Sequence, residues 1–189
     1  MELFRNIRLN IGRSILSKRL ASSKRTLNYS SFSIVKTIGI VWDATKTEDY
    51  TILSRFSQKM HERDIEVELF AYFPVKTIPD KFTAVKNLTI LKRDNLNFFY
   101  MPVSNDAEIF INKVFDVLID INFNQLFQLN CITSLSKSAF KVGLSDNKAP
   151  GSPFDLILGM NPTVDLNEYL VQVLLYLEMI KNGKPLTAK

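Results

Sequence analysis

Short apolar runs alternate with amphipathic segments along most of the chain. Apolar positions three or four apart predict helices at about 45–63, 106–113, 125–136 and 165–180. Runs rich in β-branched and aromatic residues predict strands at 35–43, 65–73, 88–91, 115–120, 140–143 and 155–159, with a further short strand at 97–100. This alternation predicts an α/β fold, a Rossmann-like three-layer sandwich with a mostly parallel sheet.

Turn-forming residues divide the chain into segments. Thr45 and Glu48 stand three apart, as in a capping box, and predict that the first helix of the body begins there. The segment 145–153, SDNKAPGSP, is the richest in turn residues, and Gly183 and Pro185 are expected to stop the last helix. We expect a basic N-terminal helical arm with its linker at 1–33, one α/β domain at 34–183 and a tail at 184–189.

About the first 20 residues of the arm have the apolar spacing of a helix. Gly12 is expected to weaken the middle of this helix, because glycine is a poor helix former. One face is predicted to consist of Leu3, Phe4, Ile7, Ile11 and Ile15.

Basic residues are concentrated in the same arm. Residues 1–28 contain seven Lys or Arg residues and one Glu, whereas the remaining 161 residues contain 17 basic and 18 acidic residues. A charge asymmetry of this kind predicts a basic segment that binds an anionic partner. The predicted contact residues are Arg5, Arg8, Arg13, Lys18, Arg19, Lys24 and Arg25.

Two anionic partners fit such an arm: structured RNA, including the ribosome, and an anionic membrane surface. Cations that neutralise phosphates release counterions, which makes binding to RNA depend steeply on salt. The apolar residues between the cations favour a membrane or a groove on another protein. A third alternative is that the helix packs on its own domain and its charges are solvated. The Arg- and Ser-rich, acid-poor composition also resembles an organellar presequence.

Composition excludes several other classes of protein. No apolar run reaches the ~18 residues that a membrane span needs, so we expect no transmembrane segment. A single cysteine, Cys131, excludes an intramolecular disulfide and fits the reducing cytoplasm. With one histidine, His61, a His/Cys zinc site cannot form, and we expect no metal and no cofactor. A Cys–His pair is chemically permitted, but we expect Cys131 to be buried and His61 to lie on a helix surface.

Polar residues follow two predicted strands at the edge where α/β proteins bind ligands. Asp43 ends the first strand and Thr45 follows it, and Asp120 ends the strand at 115–120 and Asn122 follows it. Two carboxylates near one crevice can bind a cation or share acid–base chemistry. Asp and Asn also cap the helices and turns that follow strands, and we favour that structural role here.

Motifs for nucleotide binding or nucleophilic catalysis are missing from the sequence. The turn after the first strand, residues 42–47, has no glycine, which disfavours a dinucleotide or Walker-type phosphate cradle. Ser134, Ser136 and Ser138 lie outside any Gly-x-Ser-x-Gly elbow and are interpreted as helix-end residues. The run at 98–100, Phe-Phe-Tyr, can stack bases or sugars, but we expect it in the core.

Residues 115–143, FDVLIDINFNQLFQLNCITSLSKSAFKVG, are similar to a stretch of a known enzyme family. A strand ending in Asp, a helix of small and apolar residues and a short strand ending in Gly resemble the first domain of lipopolysaccharide heptosyltransferases. Asp116, Asp120 and Gly143 match that order. The resemblance implies one non-catalytic half of that architecture, because the family binds its sugar nucleotide in a second domain. The family's glycine-containing turn is also replaced here, by the residues at 42–44.

A second resemblance covers most of the chain. The segments IGIVWDAT, FDVLIDIN, ITSLSKSAFKVG and FDLIL after a basic start resemble an uncharacterised family of small Bacteroidota proteins. This resemblance implies a bacterial cytoplasmic protein with a domain of unknown function, and it implies no catalytic residue.

Two functions are therefore open on the sequence alone. We favour a non-catalytic binding protein that docks to an anionic partner through its arm. The alternative is a small enzyme or ligand-binding protein for a polar or sugar-like metabolite, with its site at the carboxyl ends of the strands.

Overall fold

Six strands alternate with helices in the described part of the chain. The computed structural model describes residues 2–29, 31–75, 78–144, 152–161, 163 and 165–180. The helices are α1 (Glu2–Ser22), α2 (Asp49–His61), α3 (Asn105–Asn112), α4 (Phe127–Leu135) and α5 (Leu166–Met179). The strands are β1 (Thr37–Asp43), β2 (Glu66–Phe73), β3 (Leu88–Lys92), β4 (Val117–Ile121), β5 (Phe140–Leu144) and β6 (Leu156–Leu158).

All six strands are parallel and form one sheet in the order β3-β2-β1-β4-β5-β6. The chain winds outward from β1 to β3, returns to the middle of the sheet and winds the other way from β4 to β6. β1 and β4 are therefore neighbours, with Ile38 opposite Val117 and Trp42 opposite Ile121. This order confirms the predicted Rossmann-like fold, and its switch point lies between β1 and β4.

Helices cover both faces of the sheet. Trp42 of β1 joins an apolar cluster with Leu53 of α2 and Tyr169 of α5. Val41, the preceding residue, points to the other face and joins a cluster with Phe110 of α3. Because both faces are buried, the central strands consist of nearly continuous apolar runs, which is how they were recognisable in the sequence.

Helix α1 adds a further layer outside α4. Leu9 and Leu16 pack against an apolar cluster that contains Phe127 and Cys131 of α4. Gly12 lies at the closest approach: a Cβ atom there would stand 2.5 Å from the carbonyl oxygen of Phe99 and 2.9 Å from the Phe127 ring. The absence of a side chain at Gly12 therefore allows α1 to dock on the body.

The predicted apolar face of α1 is not the face that docks. The docked side contains Leu9, Gly12 and Leu16, with Ile15 at its margin. The other side leaves four apolar side chains exposed, those of Leu3, Phe4, Ile7 and Ile11. The helix has apolar residues on two sides, and the close approach at Gly12 selects the docked side.

Two local predictions are wrong. Helix α2 begins at Asp49, and Glu48 in the N-cap position makes no side-chain capping bond, so Thr45 and Glu48 do not form a capping box. Residues 97–100 form a turn instead of a strand, and Phe98 is 66% exposed instead of lying in the core. Tyr100 has a φ of 61°, in the left-handed region, which breaks the extended conformation that a strand requires.

The predictions for Cys131 and His61 are confirmed: the thiol is buried and the histidine is exposed at the end of α2. Most of the turn-rich segment, at 145–151, lies outside the described residues. Gly183, Pro185 and the tail at 184–189 also lie outside them.

Candidate functional site

Asp43 and Asn124 form a polar bridge across the switch point of the sheet. Asp43 ends β1 and is buried, and Asn124 follows β4. One carboxylate oxygen of Asp43 accepts a hydrogen bond from the backbone N–H of Thr45 at 3.1 Å. The other accepts one from Nδ2 of Asn124 at 2.7 Å. Both oxygens of Asp43 thus hold the loops that leave β1 and β4.

Asp120 and Asn122 are also bound within the chain. Asp120 accepts hydrogen bonds from the backbone N–H of Asn122 at 2.7 Å and from the hydroxyl of Thr133. The Asn122 side chain accepts from the N–H of Leu126 at 2.8 Å and donates to Oδ1 of Asn130 at 2.8 Å. These contacts build the turn that leads into α4.

Aromatic side chains fill the space beside these polar residues. Trp42 is fully buried and lies edge-on to Phe73 and Phe82, with ring centroids 5.9 Å apart in each pair. Phe123 lies edge-on to Tyr169, whose hydroxyl donates to the backbone oxygen of Asp120 at 3.2 Å. These aromatic side chains thus pack against one another next to the carboxyl ends of β1 and β4.

Burial raises the pKa of Asp120 to about 6, and the hydrogen bonds from Thr133 and Asn122 partly oppose that rise. A shifted carboxyl pKa in a cleft is a common sign of catalysis. Here burial explains the rise in pKa, and the hydrogen-bond partners of the carboxyl group belong to the fold. Among the residues that the structure describes, no group of three or more His, Cys, Asp or Glu side chains is arranged to hold a metal ion.

The predicted basic residues divide into two groups. Arg8 and Arg25 are half-buried and bind the body, whereas Arg5, Arg13, Lys18, Arg19 and Lys24 are exposed. The guanidinium of Arg8 lies 4.1 Å from the centroid of the Phe98 ring and donates to the carbonyl of Phe98 at 2.6 Å. Arg25 makes a two-pronged ion pair with Asp155 at 2.7 and 2.6 Å. Two of the seven cations therefore hold the arm in place.

The model of the Family of unknown function (DUF6913) matches residues 8–180. The chain belongs to this family. The prediction of an uncharacterised family is thereby confirmed. The matched region includes the docked residues of α1 as well as the whole described sheet. The DUF6913 family model therefore covers most of the arm together with the body. Comparison with curated proteins gives no match.

The DUF6913 domain contains a buried lysine, Lys141, that no sequence pattern singled out. Nζ of Lys141 in β5 donates to the carbonyl oxygens of Thr133 at 2.7 Å and Ser134 at 3.0 Å, in the last turn of α4. Burial, aided by the nearby Arg25, lowers the pKa of Lys141 to about 7. An alternating strand pattern does not predict such burial, because it marks Lys141 as a polar, solvent-facing position. The amine thus supplies a hydrogen-bond donor to backbone carbonyl oxygens at the end of α4, where carbonyl groups lack a partner within the helix.

A cavity of about 380 Å³ lies where the end of α1 meets α3. Its charged lining residues are Arg19, Lys137 and Glu108, and its polar ones include Ser22 and Ser104. Neither Asp43 nor Asp120 lines it. The mixed charge defines no ligand class, so this cavity supports neither of the two functions considered from the sequence.

No helix in the described ranges combines the length and the apolar character that crossing a membrane requires.

Proposed function

We propose that this chain is a non-catalytic binding protein that docks onto a negatively charged partner through the exposed side of α1. One observation carries the proposal: the body holds α1 by one side, and the rest of the helix leaves cations and apolar residues exposed. A helix fixed in this way presents its side chains in a defined orientation, so less conformational entropy is lost on binding.

The charge distribution supports a negatively charged partner. Five of the seven basic residues of the arm are exposed, and Glu2 is the only acidic residue among the first 28. The body and tail together have nearly balanced charge. Attraction to a negative surface would therefore act on α1 and orient the whole chain during approach.

The internal hydrogen bonds of Asp43, Asp120 and Asn122 favour a binding protein over an enzyme. Each of these side chains has partners that belong to the fold. An enzyme for a polar or sugar-like metabolite would need some of these groups to face a ligand, and no specific observation favours that alternative. We include in the proposal a bacterial cytoplasmic location, at the surface of a ribosome or membrane.

Neutralising exposed cations of α1 should weaken binding to a polyanion. The triple variant Arg5→Gln, Arg13→Gln, Lys18→Gln should elute from a heparin column at lower salt than the parent, because fewer cations release counterions from the polyanion. The measurement is the eluting salt concentration, together with far-UV circular dichroism to confirm that α1 stays helical.

A matched control removes the same charge from the body. Arg55, Lys59 and Lys86 are exposed cations outside α1. Their triple replacement by Gln should shift elution much less than the α1 triple. Equal shifts for the two triples would mean that net charge governs retention, and they would overturn the proposal.

A further inference from the structure

A turn of the body holds an exposed aromatic ring beside α1. Phe98 lies in the turn at 97–100, and 66% of its surface is exposed. Oδ1 of Asn97 accepts hydrogen bonds from the backbone N–H groups of Phe99 at 2.9 Å and Met101 at 3.0 Å. Tyr100 takes the left-handed conformation that closes the turn. The turn is thus built from specific contacts, and it holds the Phe98 ring in an exposed position.

Arg8 joins this ring to α1. Its guanidinium lies 4.1 Å from the centroid of Phe98 and 4.3 Å from that of Tyr100, and its Nε donates to the Phe98 carbonyl. Arg8 stands one helical turn after Phe4 and one before Gly12, near the boundary between the docked and exposed sides. Phe98 therefore lies next to the exposed apolar side of α1. We call the two together the α1–Phe98 face, consisting of Leu3, Phe4, Ile7, Ile11 and Phe98.

The chemistry of the α1–Phe98 face fits a lipid surface better than RNA. A helix that lies in a membrane interface combines aliphatic and aromatic residues with basic ones, and Arg5, Arg13 and Lys18 supply the exposed cations. Single-stranded RNA can stack on an aromatic ring, but RNA offers no partner for a row of exposed Leu and Ile side chains. Anionic lipids attract the cations, and acyl chains accept the apolar residues.

Another exposed apolar helix surface has no basic residue on its own helix. Val171, Leu175 and Met179 are exposed on α5, whose charged residues are Glu168 and Glu178. Glu178 is paired with Arg63 at 2.8 Å, so Glu168 leaves this surface weakly acidic and α5 offers no cation to attract anionic lipids. The exposed cations of α1 therefore distinguish the α1–Phe98 face from the surface of α5.

We infer that the partner of α1 is an anionic lipid surface and that Phe98 of the body inserts into it as a second anchor. This inference rests on the proposed function, since it identifies the negatively charged partner. Two contacts, one from the helix and one from the turn, would fix the orientation of the body against the bilayer. Single weak membrane anchors give reversible binding, and two acting together give stable attachment.

Flotation with vesicles tests the inference on the full chain. The probes are vesicles of phosphatidylglycerol with phosphatidylcholine, and vesicles of phosphatidylcholine alone. The parent should float with the anionic vesicles only. Phe98→Ala should weaken this partition about tenfold, the effect of losing a buried aromatic side chain. Ile109→Ala, which changes an exposed apolar residue of α3, should leave partition unchanged.

A second variant keeps the test valid if Phe98→Ala disturbs the packing of Arg8. Phe98→Trp retains an aromatic ring for the guanidinium, and the native Trp42 is fully buried and serves as a constant background. The fluorescence of the new indole should shift to the blue when anionic vesicles are added.

The outcomes separate this inference from the proposed function. Unchanged partition of Phe98→Ala and an unshifted indole, with loss of binding in Ile7→Asp, would overturn Phe98 as an anchor and leave α1 docking in place. Retention on heparin or RNA without flotation would overturn the lipid partner alone. Oligomers that form without vesicles and dissociate in Ile7→Asp would indicate the acidic α5 surface of a second copy, and would also overturn the lipid partner.

Discussion

Gly12→Ala should destabilise the protein, although glycine to alanine in an exposed helix interior stabilises by about 1 kcal/mol. A Cβ atom at this position would stand 2.5 Å from the carbonyl oxygen of Phe99, a backbone atom that cannot rotate away. It would also stand 2.9 Å from the ring of Phe127 in α4. Overpacking of this kind costs about 1–3 kcal/mol, so the sign of the usual helix effect should reverse. Urea unfolding of parent and variant gives the difference in free energy.

Two further measurements separate lost docking from a general loss of helix. Ser17→Ala changes an exposed position of the same helix and should be neutral or stabilising. Cys131 lies under α1 and is fully buried, and burial raises its pKa to about 12. In Gly12→Leu, α1 should leave α4, and the thiol should then react with a disulfide reagent under native conditions. If Gly12→Ala is as stable as Ser17→Ala and the thiol stays protected in Gly12→Leu, the docked position of α1 is wrong.

Lys141→Met should remove a pH dependence of stability between pH 7 and 9. The pKa of Lys141 is lowered from 10.5 to about 7 on folding. In this window the unfolded chain holds a proton that the folded chain has released, so stability rises with pH, by up to ~1.4 kcal/mol for each pH unit. Below about pH 6 both states are protonated and the slope vanishes. Methionine has a similar length and no charge, so the variant should lose the slope.

The measurement is the unfolding free energy of parent and variant in urea at pH 6.5, 7.5 and 8.5. The slope decides the test, because methionine also leaves the carbonyl oxygens of Thr133 and Ser134 without their donor and thus changes the absolute stability. Lys137→Met, at an exposed lysine nearby in sequence, should keep the slope of the parent. If the slope persists in Lys141→Met, it does not come from Lys141. That result would mean that the amine keeps its proton, and its charge, when it is buried in the folded protein.

The central sheet could be predicted from the sequence because its strands are apolar on both faces. β1, β2 and β4 carry buried residues at nearly every position, and such runs bounded by turns are distinctive. The start of α2 could not be predicted, because the hydroxyl and carboxylate at Thr45 and Glu48 have capping spacing without capping geometry. In a capping box the backbone N–H of Thr45 would donate to the side chain of Glu48, but here it donates to the carboxylate of Asp43.

The docked side of α1 depends on tertiary shape that periodicity does not contain. Helical spacing predicted one apolar side of α1, and most of that side is exposed. What places a different side against the body is the space at Gly12, which is a property of α4 and the turn at 97–100. From the sequence, Gly12 was expected only to lower the stability of the helix. In the structure it is the residue at which α1 comes closest to the body.

The position of the candidate crevice was predicted from the sequence, but the hydrogen-bond partners of its polar residues were not. Asp43, Asp120 and Asn122 lie at the carboxyl ends of β1 and β4, as expected for a parallel sheet. Asn124 and Thr133, which bind the two carboxylates, were missed. Their roles depend on loop paths that bring side chains 81 and 13 residues apart into contact, and no local pattern encodes such pairs.

A polarity-sensitive dye on α1 tests the central claim most directly. Ile7→Cys places a thiol on the exposed side of α1, Ile109→Cys places one on α3, and burial of the native Cys131 should protect it from the dye. On adding phosphatidylglycerol-containing vesicles, the dye at position 7 should become brighter and shift to the blue, whereas the dye at position 109 should not change. An unchanged signal at position 7 would contradict an anionic lipid surface as the partner of α1, and equal changes at both positions would contradict docking through α1.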